Sequence, residues 1–239
     1  MVQKLALIAV IGLVASAACI GGAAAIGGGR FEDVLVDPFG GEHCGTTASA
    51  TATSRDMDWD GSDHAGMAIP GTANYTPGSG DKLHASGDPQ VLAHLRIRDG
   101  VVEMDCRGWH SRVKDIVITL PGREFRKFTL EGTGTLNLDH LNQANLKVEV
   151  AGVAKIKANG KVDDLGIEMA GVSKADFSQV TGAKAQVKLA GVSTADIAPS
   201  EAAKIEIAGP STVNLYSNPK QLDTDIAGPG QLHKLAPGG

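Results

Sequence analysis

The sequence predicts an all-β protein whose C-terminal half is a right-handed parallel β-helix, a solenoid of about six coils. An N-terminal portion of irregular strands and a hairpin precedes the solenoid. Two observations predict this fold class. A glycine recurs about every 19 residues in the C-terminal half, and apolar and polar residues alternate on both sides of that glycine. Alternation with a period of two is typical of strands that bury one face.

The first strand of each repeat ends at the recurring glycine. In Val148-Glu-Val-Ala-Gly152 and Ile205-Glu-Ile-Ala-Gly209, two apolar residues flank one polar residue. Successive glycines are 20, 19, 20, 18 and 19 residues apart. They are Gly132, Gly152, Gly171, Gly191, Gly209 and Gly228. A glycine at each corner permits a positive φ or a close approach of two backbones.

A second strand follows each glycine. The side chains four and six residues past the glycine are apolar, and only Lys234 in the last repeat departs from this pattern. The side chain five residues past the glycine is polar in every repeat. Because stacked coils place equivalent positions above one another, these polar residues are predicted to form one outward row, the candidate binding surface. We call this row the polar ladder. It consists of Asn137, Lys157, Asp176, Asp196, Asn214 and His233.

The length of the repeat selects the solenoid. A coil of about 19 residues cannot bury its own apolar face, whereas stacked coils close a continuous core. Stacking also pairs each strand with its copy on the next coil, about 4.8 Å away. A leucine-rich repeat would require a fixed Leu and Asn scaffold, which is absent here. The alternation of apolar and polar residues excludes helical repeats. Crossovers between parallel strands are nearly always right-handed, so the solenoid is predicted to be right-handed.

The chain is predicted to divide into five parts. These are a signal peptide at 1–17, a flexible segment at 18–54, N-terminal strands and a hairpin at 55–127, repeated coils at 128–235 and a tail at 236–239. The hairpin is indicated by Asp99-Gly100 between the runs Val91–Ile97 and Val101–Cys106. Val113–Leu120 is predicted to be a further strand that belongs to the first part of the β-helix domain.

The N-terminus has the features of a secretory signal peptide. Lys4 supplies the positive charge, Leu5–Val14 the apolar run, and Ala15-Ser-Ala17 the small residues that precede cleavage. Export to the periplasm or cell envelope of a Gram-negative bacterium is therefore expected. Two alternatives stay open: lipidation at Cys19, and retention of Leu5–Ile26 as a membrane anchor.

The two remaining cysteines are predicted to pair. Cys44 and Cys106 would form one disulfide in an oxidising compartment, and two unpaired thiols are the alternative. Such a bond would tie the N-terminal segment to the body of the protein and would have no catalytic part.

Composition narrows the classes of function. The net charge of -5 gives a nucleic-acid partner no electrostatic support. Aromatic residues make up only 4% of the chain, which is unlike a lectin built on stacked rings. No glycine-rich phosphate loop precedes a helix, and the seven histidines lack metal-ligand spacing. No cofactor and no catalytic or metal site is predicted.

One acidic string resembles the opening of a calcium loop. In Asp56-Met-Asp-Trp-Asp-Gly-Ser-Asp63, aspartates occupy positions one, three and five, and a glycine follows at position six. The twelfth position is Met67, where a bidentate Glu is needed. The favoured interpretation is a strand with outward acidic positions that leads into an Asp-Gly turn.

Asp176 and Asp196 provide the enzymatic alternative. They occupy equivalent positions on adjacent coils, so stacking would place them about 4.8 Å apart, near the spacing of a retaining glycosidase. A polysaccharide lyase or glycoside hydrolase is therefore the second hypothesis. The absence of an aromatic platform and of a long loop to wall a cleft favours a non-enzymatic role.

The repeats resemble the head GIN domain family, which is labelled putative auto-transporter adhesin. The resemblance rests on Ala170-Gly-Val-Ser173, Ala190-Gly-Val-Ser193 and Ala208-Gly-Pro-Ser211, with Trp59-Asp-Gly-Ser-Asp63, Ile69-Pro70 and Gly87-Asp-Pro89 in the N-terminal portion. It would cover about residues 55–235. The resemblance implies an exported, envelope-associated β-helix and supplies no catalytic motif.

The expected function is accordingly binding, adhesion or structural support at the cell envelope. The polar ladder would face a glycan or an envelope protein, and self-association through stacking of coils is a third hypothesis.

Overall fold

A computed structural model describes residues 52–105 and 116–235 of the chain. The predicted signal peptide, the flexible segment up to residue 51, all three cysteines and the tail lie outside these residues. Within them the strands are β1 Ser54–Asp58, β2 His64–Met67, β3 Gly71–Tyr75, β4 Lys82–Ser86, β5 Leu95–Arg98, β6 Val101–Met104, β7 Ile116–Thr119, β8 Lys127–Ile197, β9 Pro199–Ala208, β10 Thr212–Leu215, β11 Gln221–Ala227 and β12 Gln231–Lys234. One short helix, α1 Pro89–His94, interrupts them.

The prediction of an all-β fold is confirmed. The twelve strands belong to one sheet. In the C-terminal half, strands pair in parallel with the equivalent strand of the next repeat. Val187 pairs with Ile205 on β9, and Ile207 pairs with Ile226 on β11. These partners are 18 and 19 residues apart, the same spacings as between the corresponding glycines. The repeat in the sequence is therefore the repeat of the sheet.

Close contacts between glycines show how β8 folds back on itself. A methyl group added at Gly171, where φ is +128°, would collide with the carbonyl oxygen of Gly152, and the same relation joins Gly191 to Gly171. Only glycine fits, because both the backbone angle and the space exclude a side chain. The corner glycines thus lie directly above one another, as the sequence predicts.

The N-terminal strands extend the same sheet in a different order from the chain. β2 pairs in parallel with the start of β8, where Ala65 faces Phe128, and β3 pairs in parallel with the next stretch, where Ala73 faces Leu136. On their other side, β2 and β3 pair with β6 and β7. In the sheet, β2 therefore lies between β8 and β6, and β3 lies between β8 and β7.

Antiparallel strands close this end. β4 pairs with β7 and β1 pairs with β4, both antiparallel. The predicted hairpin is present between β5 and β6, with Asp99 at φ 47° and Gly100 at φ 72°. Two positive φ values in a two-residue loop match the twist of the flanking strands.

The predicted strand at Val91–Ile97 is wrong in its first half. Pro89–His94 is helical because the Asp88 carboxylate accepts a hydrogen bond from the Gln90 amide, 2.8 Å away, and Pro89 occupies the first turn. An N-cap acid followed by proline starts a helix and outweighs the alternating pattern. Val91 and Leu92 still reach the core from the helix.

Aromatic residues are concentrated near the antiparallel end of the core. Phe125 lies 5.2 Å from Trp59, 5.6 Å from Tyr75 and 5.6 Å from Phe128 between ring centroids. The Tyr75 hydroxyl donates to the Arg123 carbonyl over 2.9 Å, and burial followed by the nearby Glu124 carboxylate raises the Tyr75 pKa. The inner positions of the later coils are mostly aliphatic, with Phe177 as the exception.

Candidate functional site

The polar ladder begins one coil earlier than the sequence predicts. Asn137 pairs in register with Asn74 of β3, and the Asn137 amide nitrogen donates to the Asn74 side-chain oxygen over 2.8 Å. Asn214 pairs in register with Asp196, and His233 with Asn214. The N-terminal portion therefore contributes to the same row, although Asn74 does not belong to the repeat motif.

The first half of the polar ladder, from Asn137 to Asp176, borders a shallow depression. Its volume is about 300 Å³, and it crosses three coils. The lining residues are Asn137, Asp139, Lys157, Ala158, Asn159, Asp176 and Gln179. Three of the six predicted ladder residues thus lie together, joined by polar residues two or three positions further along each coil. We call this feature the polar depression.

The side chains of the polar depression differ in how firmly hydrogen bonds within the protein hold them. Asn159 donates to the Asp139 carboxylate over 2.7 Å and accepts from the His140 amide over 2.8 Å. Asp176 accepts from the Ser178 amide and hydroxyl, over 3.1 and 2.7 Å. Lys157 is exposed and makes no ion pair with the described residues. The arrangement offers fixed acceptors beside an available ammonium group.

The enzymatic hypothesis requires Asp196 to be an exposed carboxylate beside Asp176, but Asp196 is buried. It is only 5% exposed, accepts from the Asn214 amide nitrogen over 2.6 Å, and lies 3.7 Å from the Lys174 ammonium. Asn214 on the next coil covers the carboxylate, a consequence of the stacking itself. Asp196 does not line the polar depression. Of the two aspartates of the enzymatic hypothesis, only Asp176 lines this depression.

Buried serines follow the corner glycines, and their hydrogen-bonding role was not predicted from the sequence. The Ser193 hydroxyl donates to the Gly171 carbonyl over 3.2 Å, and the Ser211 hydroxyl donates to the Gly191 carbonyl over 2.8 Å. Ser211 also accepts from the Ser193 amide over 3.0 Å. Each hydroxyl thus bridges two coils at the corner. The recurring Gly-x-Ser motif was the available signal, and its role is to satisfy backbone groups that the corner leaves unpaired.

The strand before the glycine carries a row of ion pairs on its outer side. Glu149 lies 2.6 Å from the Lys127 ammonium and 2.7 Å from that of Lys147, which also reaches Glu168 at 3.2 Å. Burial works against ionisation of Glu149, but the hydrogen bonds from Lys127 and Lys147 prevail and lower its pKa. This side of the sheet is internally neutralised and offers little free charge.

The acidic string of the N-terminal portion is dispersed over a strand and a turn. On β1, Asp56 pairs with His84 at 2.6 Å and Asp58 with Lys82 at 3.0 Å. The Asp60 carboxylate accepts from the Gly100 amide over 2.7 Å. Burial opposes ionisation of Asp60, but the hydrogen bonds from Gly100 and Ser62 lower its pKa. Within residues 52–105 and 116–235, no three His, Cys, Asp or Glu side chains converge as metal ligands.

The predicted cysteine chemistry lies outside the described residues. The Cys44–Cys106 disulfide and the lipidation of Cys19 both stay predictions. No helix of the described part is long and apolar enough to cross a membrane.

The repeated region matches the model of a known protein family. Residues 124–219 match the family described as putative auto-transporter adhesin, head GIN domain. The predicted resemblance to the head GIN domain family is confirmed over these residues. No curated protein sequence matches the chain.

One solved structure supports the fold. A crystal structure of a putative adhesin from Bacteroides fragilis superposes with a TM-score of 0.61 at 15% identity, covering 76% of this chain and 96% of that one. A putative adhesin from Parabacteroides merdae and a putative lipid binding protein from Parabacteroides distasonis also match. For the first the TM-score is 0.43 at 13% identity, with 77% of this chain and 95% of that one covered. For the second it is 0.40 at 15%, with 77% and 96% covered. At 15% identity, the likeness to the Bacteroides fragilis structure concerns the fold alone.

Proposed function

We propose that this chain is a non-enzymatic, exported protein of the bacterial cell envelope that binds a glycan through the polar depression. The head GIN domain match at residues 124–219 supports a binding role of the adhesin type.

Several kinds of hydrogen-bonding group meet in the polar depression at regular heights. Amides of Asn137, Asn159 and Gln179 combine with the carboxylate of Asp176 and the ammonium of Lys157. Equivalent groups on successive coils are about 4.8 Å apart. A sugar presents hydroxyl groups that both donate and accept at comparable intervals, so an oligosaccharide lying along the stack can satisfy several of these groups at once.

The observation that carries this proposal is the unpaired Lys157 between fixed acceptors. Asp139 and Asp176 are already held by Asn159 and Ser178, so the acceptors are preorganised. Preorganised polar groups reduce the entropic cost of binding. No aromatic ring lines the depression, which predicts modest affinity and dependence on hydrogen bonds.

A glycan panel probed with the full chain and three variants tests the proposal. Lys157→Ala and Gln179→Ala should each weaken binding by roughly tenfold, since each removes a hydrogen bond worth about 1–1.5 kcal/mol. Lys155→Ala is the matched control: this exposed lysine lies two residues earlier and does not line the depression. Absence of binding to any glycan, or binding that Lys157→Ala and Gln179→Ala leave intact, contradicts the proposal.

The same experiment separates binding from polysaccharide cleavage. Cleavage by the unmodified protein that Asp176→Asn abolishes would replace a binding function by an enzymatic one. The burial of Asp196 beneath Asn214 favours binding, because a retaining glycosidase needs two carboxylates that reach the same sugar.

The finer architecture belongs to the same proposal. We infer a right-handed parallel β-helix of about six coils for residues 128–235, supported by the parallel pairing of equivalent strands and the contacts between corner glycines. The export signal at 1–17 and the Cys44–Cys106 disulfide complete the expectation of an envelope protein.

A further inference from the structure

The last coil within the described residues, formed by β11 and β12, departs from the repeat pattern at two inner positions. Thr224 pairs in register with Ile205 of β9, and Lys234 pairs in register with Leu215 of β10. Ile205 and Leu215 are 0% and 1% exposed, whereas Thr224 and Lys234 are exposed. On the five preceding coils the residues of these two columns are apolar and buried. They are Phe128, Val148, Ile167, Val187 and Ile205 in the first column, and Leu138, Ala158, Phe177, Ile197 and Leu215 in the second. Both departures therefore fall on one coil.

The outward positions of β11 depart from the pattern as well. On β9 the outward pair is Lys204 and Glu206, which neutralise each other over 2.8 Å. In register with them on β11 are Asp223 and Asp225, two exposed carboxylates that form no ion pair with the described residues. Each of the five preceding coils carries at most one acid at these two positions. The last coil thus has an unbalanced negative charge on its outer side.

Apolar groups nevertheless remain at this open end of the stack. Ile226 is 40% exposed, and Leu222 and Leu232 are partly buried against the core. Among the described strands, β11 pairs only with β9 and β12 only with β10, so the outer edges of both strands carry unpaired backbone groups. A free strand edge beside apolar side chains is a template on which another chain can pair. Such an edge favours association unless other side chains oppose it.

The polar residues of the last coil oppose the addition of a further strand. A strand beyond β12 would bury the Lys234 ammonium at an inner, apolar position, and an unpaired buried charge is strongly unfavourable. A strand beyond β11 would bury the Thr224 hydroxyl and would lie about 4.8 Å from Asp223 and Asp225. Inward-pointing charges and charged side chains on edge strands are among the means by which proteins prevent such pairing.

We propose that the coil of β11 and β12 is a polar cap that ends the stack and prevents other copies of this chain from adding to it. In the simplest addition, two copies meet end to end about a two-fold axis, and β11 pairs antiparallel with the same strand of the second copy. When this pairing is centred on Thr224, Asp223 lies opposite the partner's Asp225, and like charges directly opposite each other are destabilising. The same axis buries both Lys234 ammonium groups in the contact.

A head-to-tail contact meets the same obstacle at Lys234. The outermost strands at the other end of the sheet are β1 and β5. β5 would offer Arg96 and Arg98 to the aspartates of β11, but both arginines already form ion pairs within their own copy. β1 would offer the half-buried Arg55 and Met57 to Lys234, and neither side chain can neutralise an ammonium group. The cap therefore opposes both directions of assembly.

Sedimentation velocity of the full chain and its variants, over a wide range of concentrations, tests the proposal. The unmodified protein should not associate through this end. Thr224→Ile with Lys234→Leu gives the last coil the inner residues of an internal coil and should produce a concentration-dependent association. Adding Asp223→Asn and Asp225→Asn should strengthen this association by about tenfold, because two contacts between like charges disappear. Adding Ile226→Asp to the fourfold variant should abolish the association, which locates it at the open end.

Lys161→Leu with Thr181→Ile is the matched control. Both residues are exposed on internal coils, and they lie close together, since the Thr181 hydroxyl donates to the Gly160 carbonyl over 3.3 Å. The control thus makes the same exchange of side chains away from the open end, and no association is expected. Thermal melts verify that each variant is folded.

Hydrogen exchange of the unmodified protein tests whether the last coil is open. Residues 221–227 of β11 pair in register with residues 202–208 of β9, so the two peptides are a matched pair. About half of the amides of 221–227 should exchange without protection, because alternate amides point away from β9 towards the free edge. The amides of 202–208 should stay protected, since β9 has a paired strand on both sides.

Three results would overturn the proposal. The first is an unmodified protein that associates and loses this association with Ile226→Asp. The second is a fourfold variant that stays as monomeric as the control at every concentration. The third is protection of 221–227 as strong as that of 202–208, which would show that another part of the chain covers the last coil. None of the substituted residues lines the polar depression, so failure here leaves the glycan proposal standing.

Discussion

The two ends of the stack differ in how they are closed. At the N-terminal end, antiparallel β1 and β4 cover the sheet next to an aromatic cluster that includes Phe125, which is 0% exposed. At the other end, β11 pairs with β9 and, within the described residues, with no strand beyond it. Ile226 of this last coil is 40% exposed, whereas Ile207, its partner one coil earlier, is 2% exposed.

The difference shows that position in the stack, as well as residue type, decides how much a side chain stabilises the fold. Ile207 and Ile226 occupy the same column and meet in register. Only the inner one is covered from both sides. Repeat proteins generally need terminal elements that differ from the internal repeats. Here antiparallel strands and aromatic rings provide such an element at the N-terminal end.

The largest effect is expected from a charge in an inner column. Ile207→Asp should unfold the domain, because it buries an unpaired carboxylate in the core. Ile226→Asp should be tolerated, since water reaches this position. Circular dichroism melts of the two variants, with Glu206→Gln as a control on the outer side, measure the contrast. Similar losses for Ile207→Asp and Ile226→Asp would show that the last coil is covered after all.

A smaller effect is expected from removing an aromatic ring at the closed end. Phe128→Ala should cost about 3–5 kcal/mol of unfolding free energy, because the cavity lies between Tyr75 and Phe125. Ile226→Ala should cost less than about 1 kcal/mol, in line with its partial exposure. Urea unfolding gives both values. A loss for Ile226→Ala as large as that for Phe128→Ala would remove the distinction between the ends.

The smallest effect concerns the ion pairs on the coils between the two ends. The lowered pKa of Glu149 means that the folded protein holds this carboxylate charged more firmly than the unfolded chain does. Its contribution is therefore present above the ordinary pKa of 4.5 and is lost as the pH falls through the lowered value. Melting temperatures of the unmodified protein and of Glu149→Gln should converge in this acidic range. Curves that stay parallel would show that Lys127 and Lys147 do not stabilise the charged form.

The sequence was sufficient for the features that repeat. The corner glycines, the buried columns and the outward position of Asn137 follow from spacing and alternation, because every coil obeys the same constraint. The order of β2, β3, β6 and β7 could not be obtained in this way. These strands lack a common motif, and their neighbours are decided by contacts across long stretches of chain.

In the candidate site, too, only the features that follow from the repeat could be predicted from the sequence. The alignment of Asn137, Lys157 and Asp176 was predictable, since one position of the repeat generates them. The burial of Asp196 was not, because it depends on Asn214 and Lys174, two side chains of other positions that reach over it. Val153, Val172 and Val192 each follow a corner glycine in the sequence. Only the structure shows that all three are exposed and do not belong to the core.

The inner position of β2 and β3 has a consequence for the order in which the protein folds. Asn74 meets Asn137 across 63 residues of chain, whereas Asn214 meets Asp196 across 18. Closing the longer loop costs about 1 kcal/mol more in chain entropy, and contacts of long sequence separation slow folding. The contacts of β2 and β3 with β8 are therefore expected to form later than the contacts between successive repeats. Each later repeat can add to its neighbour once about twenty residues of chain are available.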